Sequence, residues 1–565
     1  MKRSLATLFF VLIGYSNFFS QYTLDDIATE YQSYNENLSE LTKTQWPDIS
    51  TNGVKLKKTI YSKWISALDK LETKDFSESE QINYEMLYLL LDNDLFLISS
   101  NNHLMPLNSE GGFIINMMYT ARGINLDNEE KVENYISKID DTPNYINQQI
   151  LNLKAGQNSN MSWPKVVVDN CIKVLDDALK NKGKDFFLYK PLTDKQSDFI
   201  INEKIYQSFV DLKKYLQDDY LIKAPEKIGI SNISDGKAFY EQRVRYYTTL
   251  DMTPQEVFDL GESEVKRIKS EMTAIIDKLD FSGSYAEFLE FLRTDPQFYA
   301  ESPEELLRYA AWLSKKAEEF LPRYFSKLPR LPYTVSPVPA EIAPNYTTGR
   351  YSGGSMDNQK AGAYWVNTYN LPSRPLYVLP SLTLHEAVPG HHLQISLAME
   401  LGDSLPAFRS EYLSAYGEGW GLYSEYLGKE AGMYKNLYDD FGRLTYEMWR
   451  ACRLVVDPGM HYFDWTRQEA VDYMRENAAL SDHEINTEIN RYIGWPGQAV
   501  SYKIGELKIR ELRSMAEEEL GKDFDIREFH DLVLANGSIP LTTLERIITT
   551  YITAKKTDIN KIKEK

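Results

Sequence analysis

Cysteine is nearly absent from this chain. Cys171 and Cys452 are the only two in 565 residues, enough for one bridge but not for a disulfide framework or a cysteine zinc site. The fold must therefore be held by its core. Positive charge is in deficit as well: 63 Lys and Arg stand against 82 Asp and Glu, a formal charge of −19 with a pI near 5.0. No basic tract exists to neutralise phosphates, which excludes nucleic acid and anionic membranes as main partners. No apolar run approaches the roughly 20 residues that cross a bilayer, so no membrane span is expected. Disorder is excluded in turn by a hydrophobic content of 43% and an aromatic content of 13%, with 39 tyrosines.

The N-terminus reads as an export signal over residues 1–20. Lys2 and Arg3 supply the positive start, Leu5 to Ile13 a short apolar core, and Ser16 to Ser20 a polar-aromatic stretch that ends before Gln21. No cysteine lies near the cleavage region to suggest a lipid anchor. The expected location is periplasmic or extracellular.

Helix signals dominate the chain beyond this leader. Thr253-Pro254-Gln255-Glu256 is a capping box with proline at the first helical position, and Val257, Leu260, Val265, Ile268, Met272 and Ile276 recur behind it at helical spacing. Ser302 to Glu305, Thr466 to Glu469 and Ser481 to Glu484 repeat the device. Residues 331–380 differ, being rich in Pro, Gly, Tyr and Thr. There Gly362 to Tyr369 reads as a strand, and Arg374 to Val378 as a second short extended piece. The expected fold is mainly α: a two-lobed helical protein of the metallopeptidase type, with a small β-sheet beside the metal helix. A helical N-terminal lobe (22–330) and a catalytic, metal-binding lobe (331–565) would flank a cleft. The division is soft and compatible with one continuous unit.

Histidine is scarce too, yet three of the seven fall within eight residues, His385-Glu386-Ala387-Val388-Pro389-Gly390-His391-His392. Imidazole is the commonest protein ligand for zinc, and a glutamate beside the first ligand is the usual general base of a zinc hydrolase. The familiar H-E-x-x-H pattern fails here, because Pro389 stands at the fourth position. In a regular helix His391 would lie on the wrong face, and His392 would sit about 10 Å along the axis. A widened turn at Pro389-Gly390, absorbing two residues, would bring His391 to the ligand position. His385 and His391 are therefore the expected metal ligands, with His392 a supporting or substrate-contacting residue. Glu418 and Glu425, seven apart, would share a face of an apolar helix, where a buried carboxylate needs a cation or a hydrogen-bond partner. Glu418 is the expected third ligand. Glu425 is placed to orient a histidine ring. Gly419 and Gly421 between them permit another element to come close.

The stretch Leu384 to Gln394 resembles the bacterial family catalogued as domain of unknown function 885. So do Glu418-Gly419-Trp420, Arg491 to Ala499 with Ser501 to Gly505, and Phe529-His530-Asp531. The likeness runs over most of the chain. That family looks like a distant relative of the gluzincin metallopeptidases, helical zinc enzymes with two histidine ligands and one glutamate. The resemblance implies a zinc-dependent peptidase acting on short peptides. Glu386 would be the base, and a downstream tyrosine, Tyr502 or Tyr492, would stabilise the oxyanion. His461 is a weaker candidate for that task, and Arg491 is placed to anchor a substrate carboxylate. The strand near Tyr364 to Tyr369 could add an extended peptide at its edge. Two other readings stand beside this one: a peptide-binding protein that keeps the fold without catalysis, and a zinc amidase acting on non-peptide amides.

Overall fold

Helix starts are set by the side chains that the sequence offers as caps. The computed structural model describes residues 22–108, 111–193, 202–340 and 342–563. In it, Thr253, Thr466 and Ser481 each accept a backbone N–H from the first turn, while Glu256, Glu469 and Glu484 return to the cap's own N–H. Ser302 caps the Pro303–Tyr324 helix alone, because Glu305 reaches back to the N–H of Glu301 instead. Helices follow one another from Leu24–Thr44 to Leu541–Lys563, and the protein is mainly α-helical. Among the described residues no helix is long and apolar enough to cross a membrane. The expected export signal lies outside the described residues. Cys171 and Cys452 are both buried and free, so the one bridge open to the chain does not form.

The exception falls where proline, glycine and tyrosine are dense. Strands β1 (Tyr333–Pro337), β2 (Gly349–Ser352) and β3 (Gly362–Val366) form a sheet in the order β1-β3-β2, with β1 parallel and β2 antiparallel to β3. β3 stops at Val366, and the Asn367 amide beyond it donates to the carbonyls of Ala343, Tyr346 and Thr347. Two expectations are corrected here. β3 is central and paired on both sides, so it has no free edge for a peptide; the free edges belong to β1 and β2. The segment from Arg374 to Val378 is not a strand. Pro375 lacks the N–H that a ladder needs, and Leu376–Val378 is a 3-10 turn that runs straight into the Leu379–Glu386 helix.

One apolar core takes buried residues from both halves of the chain, from Leu24 to Phe325 and from Tyr364 to Ile552. The Pro254–Lys278 helix, from the N-terminal half, lies so close to the Leu437–His461 helix that a Cβ on Gly261 would stand 2.7 Å from that of Leu454. The Ser414–Glu430 and Ser501–Leu520 helices cross at Gly419 and Gly505, where a Cβ on Gly505 would stand 1.9 Å from the Ala415 carbonyl oxygen.

Charge is buried at the same junction. Lys503, fully enclosed, reaches Glu264 at 3.0 Å, Glu447 at 2.9 Å and Glu506 at 2.8 Å. Arg267, Arg443 and Arg510 complete the network around these carboxylates. Burial alone would lower the Lys503 ammonium; the three carboxylates more than reverse this and keep it protonated. Lys503→Met preserves most of the volume but leaves the carboxylates short of a cation. The expected loss is about 3–5 kcal/mol, read as a lower denaturant midpoint. An unchanged midpoint would contradict a structural role for the network.

Candidate metal centre

His385-Glu386 and His391-His392 lie on two helices, not one. Leu379–Glu386 ends at Ala387, the Val388–Pro389 bond is cis, and His391–Leu401 begins at once. The expected widened turn inside a single helix is therefore corrected to a break between two. Its cause is local. Ala387 (φ −94°, ψ −118°) and Gly390 (φ −72°, ψ −131°) both leave helical space. The loop folds back so tightly that a Cβ at Gly390 would stand 1.9 Å from the His385 carbonyl oxygen. A trace of the wide turn survives, because the His392 N–H donates to the Ala387 carbonyl at 3.1 Å. Trp420 Nε1 donates to the Pro389 carbonyl at 2.8 Å and secures the loop.

The break sets His391, rather than His392, beside His385. Their rings are 4.6 Å apart between centroids and nearly perpendicular. Glu418 Oε2 lies 3.4 Å from Nε2 of each, and one ligand atom from each of the three residues lies within 4.8 Å of the others. A tetrahedral zinc with bonds of about 2.0–2.1 Å separates its ligand atoms by roughly 3.3–3.4 Å, so two imidazoles and a carboxylate so placed fit such an ion.

Glu418 and Glu425 share the inner face of the Ser414–Glu430 helix. Glu425 Oε1 meets His385 Nδ1 at 2.8 Å and has Arg450 behind it at 3.6 Å. A carboxylate on Nδ1 places the proton there and leaves the Nε2 lone pair aimed at the centre. Gly421 makes room for the ring, since a Cβ there would stand 2.6 Å from His385 Cε1. Burial alone would lower the His385 imidazole, but Glu418 and Glu425 raise it to about 9. Burial would likewise raise the Glu418 carboxyl, yet His391 and His385 hold it well below the usual range. The charges that favour a proton on His385 also favour a divalent cation among the three groups.

Glu386 is positioned by the sheet. Its Oε2 accepts the backbone N–H of Tyr351, on β2, at 2.7 Å. His392 points the other way. Its Nδ1 meets the Tyr351 hydroxyl at 3.0 Å and the Ser396 hydroxyl at 3.3 Å, and its ring packs 4.5 Å from that of Tyr333. His392 thus supports the strand that holds Glu386.

The downstream residues divide. Tyr502 is half-buried, with the Arg453 guanidinium 4.3 Å over its ring, and it lies within electrostatic range of Tyr412. Nothing in the sequence marks Tyr412. Its hydroxyl donates to the second Glu418 oxygen at 3.1 Å, while 44% of its surface stays exposed. Tyr492 is buried, and its hydroxyl accepts from Arg453 Nε at 2.7 Å and Trp449 Nε1 at 3.1 Å. His461 accepts the Ile230 N–H at Nδ1 (3.1 Å) and donates from Nε2 to the Tyr492 carbonyl (3.0 Å). The Tyr492 hydroxyl, held by Arg453 and Trp449 and facing Glu488, and the two bonded nitrogens of His461 are engaged within the protein, which corrects their expected candidacy as oxyanion donors. Arg491 bonds Glu488 and Gln498. His530 accepts from the Tyr423 hydroxyl at 2.7 Å and donates to the Tyr324 carbonyl at 2.8 Å, so it ties helices together.

Buried histidines make stability depend on pH in two directions. Burial pushes His392 and His461 down to about 4 and His530 to about 3. Their contribution is present above the unfolded value of about 6.5 and is lost as pH falls through those lower values. His385, raised to about 9, contributes fully below about 6.5 and loses that contribution as pH rises through 9. Calorimetry of chelator-treated protein between pH 4 and 10 should find the highest Tm near pH 6.5. A Tm that climbs steadily from 6.5 to 9 would contradict the His385 assignment.

Residues 30–548 match the family model described as bacterial protein of unknown function (DUF885). None of the curated proteins matches the chain. Two solved structures that match are each described as a "putative lipoprotein". The one from Colwellia psychrerythraea has a TM-score of 0.84 and 26% identity, over 94% of this chain and 99% of that one. The one from Shewanella oneidensis, further described as of unknown function, has a TM-score of 0.74 and 18% identity, over 94% and 100%; at that identity the likeness is one of fold. With a family model spanning nearly the whole described chain, the protein belongs to the DUF885 family of bacterial proteins.

Proposed function

We propose that this protein is an exported, zinc-dependent peptidase that hydrolyses short peptides. The observation that carries the reading is a glutamate, Glu386, fixed by a strand N–H beside two imidazoles whose Nε2 atoms each lie 3.4 Å from the Glu418 carboxylate, a separation that suits ligands sharing one zinc ion. The proposed donor set and the helical build resemble those of gluzincin zinc peptidases, which supports the reading. Export is supported by the leader-like N-terminus and by the Colwellia psychrerythraea structure, described as a "putative lipoprotein".

His385, His391 and Glu418 would hold zinc, which when bound supplies Lewis acidity and activates water. Glu386 takes the proton of the attacking water and passes it to the leaving amine. The Tyr351 N–H keeps the carboxylate aimed, and Glu425 keeps His385 in the tautomer that ligation requires. Tyr502 donates to the developing oxyanion, where a hydrogen bond in a dry site contributes most.

Glu386→Gln keeps the shape of the base but cannot accept a proton. Zinc content should stay at the wild-type level while turnover falls by about 10²–10⁴-fold; near-normal turnover in the zinc-loaded variant would assign the base elsewhere. Tyr502→Phe should lower kcat with little change in KM, because its bond forms only as charge develops. An unchanged kcat would remove Tyr502 from the reaction.

A further inference from the structure

Strand β2 sends two neighbouring side chains to opposite faces of the sheet. Tyr351 turns inward to His392 and gives its N–H to Glu386. Arg350, paired in register with Trp365, points the other way by the strand pleat and is exposed. Its guanidinium lies close to the Tyr346 hydroxyl and within electrostatic range of both Glu386 and Glu418. Other arginines around the centre are committed to carboxylates: Arg450 to Glu425, Arg453 and Arg491 to Glu488, and Arg374 to Glu484. No carboxylate of the described residues lies within ion-pair distance of Arg350. Tyr346 in turn lies within electrostatic range of Tyr119. Tyr119 comes from the Phe113–Gly123 helix of the N-terminal half and leaves 55% of its surface exposed. The Arg350 guanidinium and the Tyr346 phenol thus lie near the Glu386 carboxylate, with Tyr119 of the N-terminal half next to Tyr346.

We infer that Arg350 receives the free C-terminal carboxylate of the substrate, so that the peptides cleaved are those whose carboxyl end lies close to the scissile bond. The inference rests on the peptidase reading and narrows its substrate class. A planar fork matches a carboxylate through two parallel hydrogen bonds, and phenol hydroxyls are further donors to its remaining lone pairs.

Calorimetric titration of the zinc-loaded Glu386→Gln protein measures binding without turnover. The ligands are a tripeptide with a free C-terminus, its C-terminal amide, and an amide carrying aspartate as the last residue. The free acid should bind roughly 10–100-fold more tightly than the plain amide, the range for a hydrogen bond to a charged group. Adding Arg350→Met should bring that ratio close to one with an unchanged Tm, and Arg350→Lys should restore part of it. Equal binding of acid and amide, or a preference that survives Arg350→Met, would overturn the inference. An aspartyl amide that binds like the free acid would also overturn it, by assigning the anchor to a side chain. Hydrolysis assays separate this outcome from the wider reading. Wild-type cleavage of acid and amide at equal rates sinks the anchor and leaves the peptidase; an acid preference in binding with no cleavage of any peptide does the reverse.

Discussion

The Ser414–Glu430 helix presents Gly421 to the His385 ring, Gly419 to the backbone of Gly505, and Gly428 to the side chain of Leu384. At each position a single added carbon would collide with its neighbour, at 2.6, 2.5 and 2.2 Å respectively. Gly421 and Gly428 share the face that carries Glu418 and Glu425, and their lack of side chains lets those carboxylates approach the imidazoles to hydrogen-bonding or ligating distance, while Gly419 seats another side of the helix against its neighbour. If the helix stood farther off, Glu418 could not reach both Nε2 atoms, and His385 would lose the carboxylate that fixes its tautomer. The remaining parts of the centre, the Pro389 loop under Trp420 and the strand that holds Glu386, are arranged around that contact.

Ionised groups buried near the centre would be costly if isolated, and each has a partner. Lys503 sits among three glutamates, Arg453 against Glu488, and Arg450 against Glu425. These pairs fasten the Leu437–His461 helix to its neighbours. Such networks hold geometry more than they add stability, and that is what a centre built from three separate helices needs. His392 serves the same end through neutral hydrogen bonds, binding the sheet to the helix that carries His391.

The histidine cluster was legible because it uses a scarce residue type: three of seven histidines fall within eight positions. Helix starts were legible because capping is local. The break at Pro389-Gly390 was not, since a bulge and a break satisfy the same spacing, and only the approach of Gly390 to the His385 carbonyl decides between them. Strand order is a long-range property, which is why β3 read as a free strand and proved to be central. Tyr412 and Arg350 carry no mark in the sequence. One is a tyrosine among 39, and the other takes its meaning from the strand edge it occupies. Spacing alone did not choose between Tyr492 and Tyr502; the apolar face that Tyr492 shares with Ile485 and Ile489 pointed to a core role, and Tyr492 is buried.

X-ray absorption at the zinc edge of the stoichiometrically loaded protein reads the ligands themselves, and so bears on the metal centre without passing through activity. Two imidazole nitrogens and carboxylate oxygen at about 2.0–2.2 Å are expected, a pattern unchanged in His392→Gln and reduced to one imidazole in His391→Gln. Three imidazoles in the wild-type spectrum, or a spectrum altered by His392→Gln and not by His391→Gln, would contradict a centre built on His385, His391 and Glu418.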